Sequence, residues 1–276
     1  MPAIDVIEDP FGQDEVPQVR LANNPLALTL FQARFPGTVS ALQDAIDDKS
    51  LVRALSEDYP YVEPQDIFEI VVQPGKQPEP HRTTSKAWRL SDATRTLFVT
   101  ISPDSVSFHT TRYKTRTEFL ATASKVLEVI QHRTKAPAIS RLGLRYTNRV
   151  DGQSAVEKLI PRLAVGAQGI LSVTSGSQLQ HAMGELVYSW PEDAHQILAR
   201  WGLLPAGATL DPAMPSVQER SWVLDIDCYR ETLMDFDAQT LTNELDRLSK
   251  RAYRFFRWAV TPDGLEMFGV LDDGIS

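Results

Sequence analysis

The sequence is poor in cysteine, poor in positive charge and without long apolar runs, and each scarcity excludes a class of protein. Cys228 is the one cysteine in 276 residues, so there is no internal disulfide framework and no cysteine-rich zinc site. A lone thiol suits a reducing cytosol, where Cys228 reads as a small buried hydrophobe. No stretch approaches the roughly 18–20 apolar residues that cross a bilayer. The opening MPAIDVIEDPFGQDEV lacks the basic and apolar regions of a secretory signal. Lys and Arg number 28 against 36 Asp and Glu, a net charge of -8. That balance argues against nucleic acid as a partner. There is no phosphate-binding loop, no dinucleotide glycine fingerprint and no nucleophile elbow. His81, His109, His132, His181 and His195 show no metallohydrolase or deaminase spacing. The expectation is therefore a cytosolic protein without cofactor, metal or catalytic residues, and without a membrane span.

What is present is an ordinary globular composition, 42% hydrophobic and 23% charged. Residues 1–22 read as an acidic, loosely held leader. An apolar strand spans 25–35, and Pro36-Gly37 breaks it. Thr38 then reads as the N-cap of a helix to about Glu57. Strand signals follow at 67–72, 87–90, 96–101 and 105–113, with a Pro/Gly-rich loop at 74–80. Thr115-Arg-Thr-Glu118 has the form of a capping box and opens a helix through Phe119, Ala123, Val126, Leu127 and Ile130. The second half repeats this grammar. It has a long strand at 139–150, a helix near 155–163 and strands at 179–188, 196–203 and 222–229. Its last helix spans 240–260, with Leu241, Leu245, Leu248, Ala252, Phe255, Phe256 and Ala259 on one face. The fold class expected is α+β: an antiparallel sheet covered by helices, built from a duplicated strand–helix–meander–helix unit. The halves divide at 23–136 and 137–276, the alternative being one continuous domain.

Two charged constellations stand out. In a strand, alternate residues share a face. Arg141, Arg145 and Arg149 therefore form a column, with Gly143 and Thr147 between them. Such a column suits an anion such as phosphate or carboxylate. The competing reading is an ion-pair ladder, because Asp225 and Asp227 share a face of the strand at 222–229 and neutralise the column if the two strands are neighbours. The same carboxylates with Glu185 resemble a divalent-cation set, but the arginines compete for their oxygens. The second constellation is the basic half of the last helix, where Arg247, Arg251 and Arg254 lie on one stripe. It reads as a docking surface for an acidic protein partner or as a solvated face.

The strand Arg141-Leu-Gly-Leu-Arg-Tyr-Thr-Asn148 carries a resemblance. It is supported by Arg34-Phe35, by Trp88-x-Leu-Ser-Asp92 with the meander to Tyr113, and by Leu224-Asp-Ile-Asp227 with the helix bearing Phe255-Phe256. Together these resemble a sporadically distributed bacterial family of about this length, which has an R-x-G-L-R-Y-x-N strand and a patchy occurrence like that of accessory genes in mobile and defence loci. The resemblance implies an intact fold over most of the chain and transfers no catalytic residue. The reading that follows is a non-enzymatic accessory protein acting through a protein partner, in a phage-defence or toxin–antitoxin-like system. A second copy of the chain is a further partner to consider. The alternatives are a small-molecule or lipid binder with a pocket between sheet and helices, and an enzyme acting on a phosphorylated substrate.

Overall fold

A computed structural model describes residues 4–71, 79–172 and 179–271. The chain forms an α+β fold whose large sheet has nine antiparallel strands. These are β1 (Leu26–Arg34), β2 (Tyr61–Val71), β3 (Glu79–Ser91), β4 (Leu97–Ser102), β5 (Ser105–Thr110), β7 (Arg141–Asp151), β8 (Ala182–Trp190), β9 (His195–Leu204) and β10 (Ser221–Arg230). Their order is β2-β3-β4-β5-β1-β7-β10-β9-β8, and β6 (Ala138–Ile139) pairs separately with β11 (Met234–Asp235). The helices are α1 (Ser40–Asp47), α2 (Ser50–Leu55), α3 (Arg116–Thr134), α4 (Gln153–Leu159), α5 (Val165–Gln168), α6 (Ala238–Ala259) and α7 (Pro262–Met267).

The same element grammar occurs twice. β1 is followed by helices and a meander whose last strand, β5, returns to pair with β1, and then by the long helix α3. β7 is likewise followed by helices, a meander whose last strand, β10, returns to β7, and the long helix α6. The contact-based units are not contiguous halves, however. One comprises Met1–Thr29, Leu144–Arg230 and Asp246–Ser276, and the other Leu30–Gly143 and Glu231–Leu245. These units do not coincide with a boundary at 136/137, because β1, β7 and α6 each contribute residues to both.

Local chemistry explains most elements. Thr115 accepts a hydrogen bond from the Glu118 amide at 3.1 Å, which starts α3. Phe119, Ala123, Val126, Leu127 and Ile130 are all buried along its inner face. The expected helix from Thr38 is corrected to two shorter ones. Asp48 Oδ1 accepts from the Ser50 amide at 2.7 Å, and Lys49 stands in the left-handed region at φ 60°. That reversal ends α1 and restarts the chain as α2, and Val39, not Thr38, precedes α1. Residues 74–78 of the expected Pro/Gly loop, and position 72 of the strand expected before it, lie outside the described residues, whereas Glu79 and Pro80 begin β3. In β9, Gly202 is required by close approach: a Cβ there would stand 1.9 Å from the Ala182 carbonyl oxygen of β8. The seven apolar residues predicted on the face of α6 are all buried.

Candidate functional site

β7 and β10 are neighbouring strands, and their charged side chains meet. Asp225, only 1% exposed, receives Arg145 through the side of its guanidinium: Nε to Oδ1 at 2.6 Å and Nη2 to Oδ2 at 3.2 Å. Arg200 Nη2 donates to the second oxygen at 2.7 Å, and Thr147 Oγ1 to the first at 2.8 Å. Arg145 Nη1 donates to Asp211 Oδ2 at 2.7 Å. Asp211 comes from the loop after β9, which it also braces by accepting from the Ala213 amide at 2.8 Å. Burial disfavours the charged form of Arg145, but Asp225, Asp211 and Asp227 outweigh it and raise its pKa above the ordinary value. Both oxygens of Asp225 are thus taken by donors.

The rest of the column is also engaged. Arg149 pairs with Asp151 at 2.9 Å and donates to the Pro215 carbonyl at 2.6 Å. Arg141 lies back over its own strand, so that a Cβ at Gly143 would stand 2.7 Å from its Nη1. Asp227 is partly buried and in register with Leu198. Arg145, Asp225, Arg200 and Asp211 make an ion-pair cluster in which all three Arg145 nitrogens and both Asp225 oxygens are engaged, so Arg145 does not offer the open guanidinium that the phosphorylated-substrate reading requires. Among the described residues, no group of three His, Cys, Asp or Glu side chains could hold a metal ion. Burial pushes the Cys228 thiol well above its ordinary pKa, so it stays protonated at neutral pH.

The basic half of α6 presents a different surface. Arg247 and Arg251 both reach Asp193, the former at 3.7 Å. Arg251 also lies 4.2 Å from the ring centre of Trp190. Arg254 and Arg257 turn to the N-terminal segment, where they bond main-chain oxygens. Arg254 Nε donates to the Asp9 carbonyl and its Nη1 to that of Asp14, both at 2.8 Å. Arg257 Nη1 donates to the Pro17 carbonyl at 2.7 Å and Nη2 to that of Asp5 at 3.1 Å. Trp190 Nε1 donates to the Phe11 carbonyl at 2.9 Å, and Tyr253 Oη accepts from the Val19 amide at 2.8 Å. The Phe11 ring stacks on Tyr188 at 4.0 Å and approaches Trp190 and Phe255 at 6.0 and 6.2 Å.

Residues 5–17 therefore lie as an irregular strap along α6. The carboxylates of Asp5, Glu8, Asp9, Asp14 and Glu15 are exposed. Arg257, 3% exposed, has carbonyl and phenol partners instead of a carboxylate. A buried cation without a counter-ion favours negative charge close by, and the acidic strap supplies it at longer range. The sequence pattern points to Arg247, Arg251 and Arg254 on this surface but not to Phe11, Trp190 or Asp193. The signal for Phe11 was present: it is the one aromatic residue of the acidic leader. No family model, no curated protein and no solved structure matches the chain.

Proposed function

We propose that the protein is a non-enzymatic binding protein, and that the second half of α6 with Trp190 and Tyr188 recognises an extended acidic segment of a protein partner. In this reading, residues 5–17 occupy the groove in cis until a partner segment replaces them. The observation that carries the proposal is the five main-chain carbonyls, of Asp5, Asp9, Phe11, Asp14 and Pro17, that receive donors from four side chains of one surface. Donors aimed at carbonyls read the course of a chain and tolerate many sequences. The Phe11 seat fixes register, and Arg257 selects for nearby negative charge. The resemblance to an accessory family of mobile and defence loci is what connects this reading with a toxin–antitoxin-like pair.

The test is a fluorescent peptide reproducing residues 4–19, titrated into the full-length protein by anisotropy. The tethered strap competes at an effective concentration in the millimolar range, so the wild-type chain binds the peptide weakly. Phe11→Ala in the chain loosens the strap. The partly buried ring is worth about 1–2 kcal/mol, less than a fully buried phenylalanine, so the peptide should bind about 5- to 30-fold more tightly. Adding Arg254→Ala weakens strap and peptide alike, so it should leave most of that gain in place. A correctly folded Phe11→Ala chain that binds the peptide no better than wild type would overturn the proposal.

A further inference from the structure

A second site lies in the cleft between α4 and the adjoining ends of β9 and β10. It encloses about 700 Å³ and includes Val156, Ile160, Leu171 and Pro205 among its apolar walls. That volume is in the range of small-molecule sites. It shares no residue with the α6 groove. The polar group that matters is Arg220, immediately before β10.

Arg220 is the one guanidinium among the described residues with two buried nitrogens, Nε and Nη2, that make no hydrogen bond. Its third nitrogen has only a 3.4 Å contact with Gln153 Oε1. The neighbouring carboxylates do not relieve it. Glu157 is taken by Gln153 Nε2. Glu219 is turned towards Gly152, where a Cβ would stand 2.8 Å from its Oε2. Two guanidinium nitrogens shut from water without an acceptor are costly, and an anion that supplies two acceptors removes that cost. Nε and Nη2 form the side-on fork that matches a carboxylate. The same chain uses that fork elsewhere, where Arg145 Nε and Nη2 hold the two oxygens of Asp225.

We infer that the cleft binds a small monocarboxylate with an apolar body, the carboxylate seated on the Nε and Nη2 edge of Arg220 and the hydrocarbon against Val156, Ile160 and Leu171. Because both nitrogens are closed off, the Arg220 side chain turns that edge into the cleft as the ligand enters. The binding is non-covalent. The exposed Glu157 and Glu219 at the rim discriminate against ligands with a second negative charge.

The probe is octanoate, titrated into the full-length protein by calorimetry, with octanol and octylamine as neutral and cationic counterparts of equal length. Octanoate should bind at least 10-fold more tightly than either. Arg220→Met should weaken octanoate at least 10-fold and leave octanol unchanged. Without ligand, Arg220→Met should melt at the same temperature as wild type or higher, because it removes two buried donors that have no acceptor; a purely structural arginine would give a clear fall. No octanoate binding, tighter octylamine binding, or a marked drop in the melting temperature of Arg220→Met would each overturn the inference.

Discussion

Replacing Asp225 by Asn tests whether the β7–β10 arginines are held as an internal ion-pair cluster. The substitution keeps the size of the side chain and removes its charge. One amide oxygen still accepts from Thr147 and Arg145, but the amide nitrogen then faces Arg145 Nη2 and Arg200 Nη2, donor against donor. The Arg145 side chain is 15% exposed and Asp225 1%, so the cation cannot reach water easily. Removing one partner of a buried pair costs about 3–5 kcal/mol. Asp211 stays 2.7 Å from Arg145, which puts the expectation at the lower end, about 3 kcal/mol. Arg200, 33% exposed, can turn to solvent and adds little. For a chain of this size that is a fall in melting temperature of about 6–12 °C, read by calorimetry or by tryptophan fluorescence in urea. Adding Arg145→Met removes the stranded cation, so the double variant should recover at least half of the loss. A loss below about 1 kcal/mol for Asp225→Asn, or simple addition in the double variant, would refute the reasoning.

Three further outcomes follow from the geometry. Gly202→Ala forces a Cβ against the Ala182 carbonyl oxygen, so it should cost about 1–3 kcal/mol and raise hydrogen exchange in β8 more than in β4. Burial raises the Asp92 pKa, but hydrogen bonds from Thr94 and from the amides of Leu97 and Thr96 outweigh it and hold the carboxyl below its ordinary range. A depressed folded-state pKa contributes stability above the unfolded pKa and loses it as pH falls through the folded value. Asp92→Asn should therefore be less stable than wild type at pH 7, and the gap should close below about pH 4; a constant gap from pH 7 to pH 2 would contradict this. Cys228 should resist iodoacetamide in the native protein at pH 7.5 and react fully in denaturant, as read by intact mass.

Much of the fold was legible because its signals are local. The capping box at Thr115 and Glu118 marks the start of α3, and the 3.6-residue apolar repeat marks the buried face of α6. Alternation puts Arg145 on one face of β7 with Arg141 and Arg149, and Asp225 on one face of β10 with Asp227, and both the anion-site and the ladder readings come from it. The decision between them depended on Asp211 and Arg200, which no spacing rule connects with Arg145. Asp211 arrives from an irregular loop, and Arg200 faces Asp225 only once the register of β9 against β10 is known. The break between α1 and α2 was hidden because Lys49, a good helix former, adopts a left-handed conformation that its sequence does not mark. The composition of the strap predicts a loosely held acidic leader. Its side chains give that impression, whereas its attachment to Arg254 and Arg257 runs through main-chain oxygens that look alike in every sequence. Arg220 was overlooked for a similar reason: its distinguishing property is what it does not touch.

The most direct test of the central claim is hydrogen–deuterium exchange across residues 4–19 of the full-length protein, with and without a saturating unlabelled peptide of that sequence. The Val19 amide is held by Tyr253 Oη at 2.8 Å, so it reports the docked strap. The account predicts that the peptide speeds exchange over the chain's own residues 4–19, while Trp190 and the second half of α6 stay as protected as before. Unchanged exchange over 4–19 at a peptide concentration that saturates the protein would contradict it.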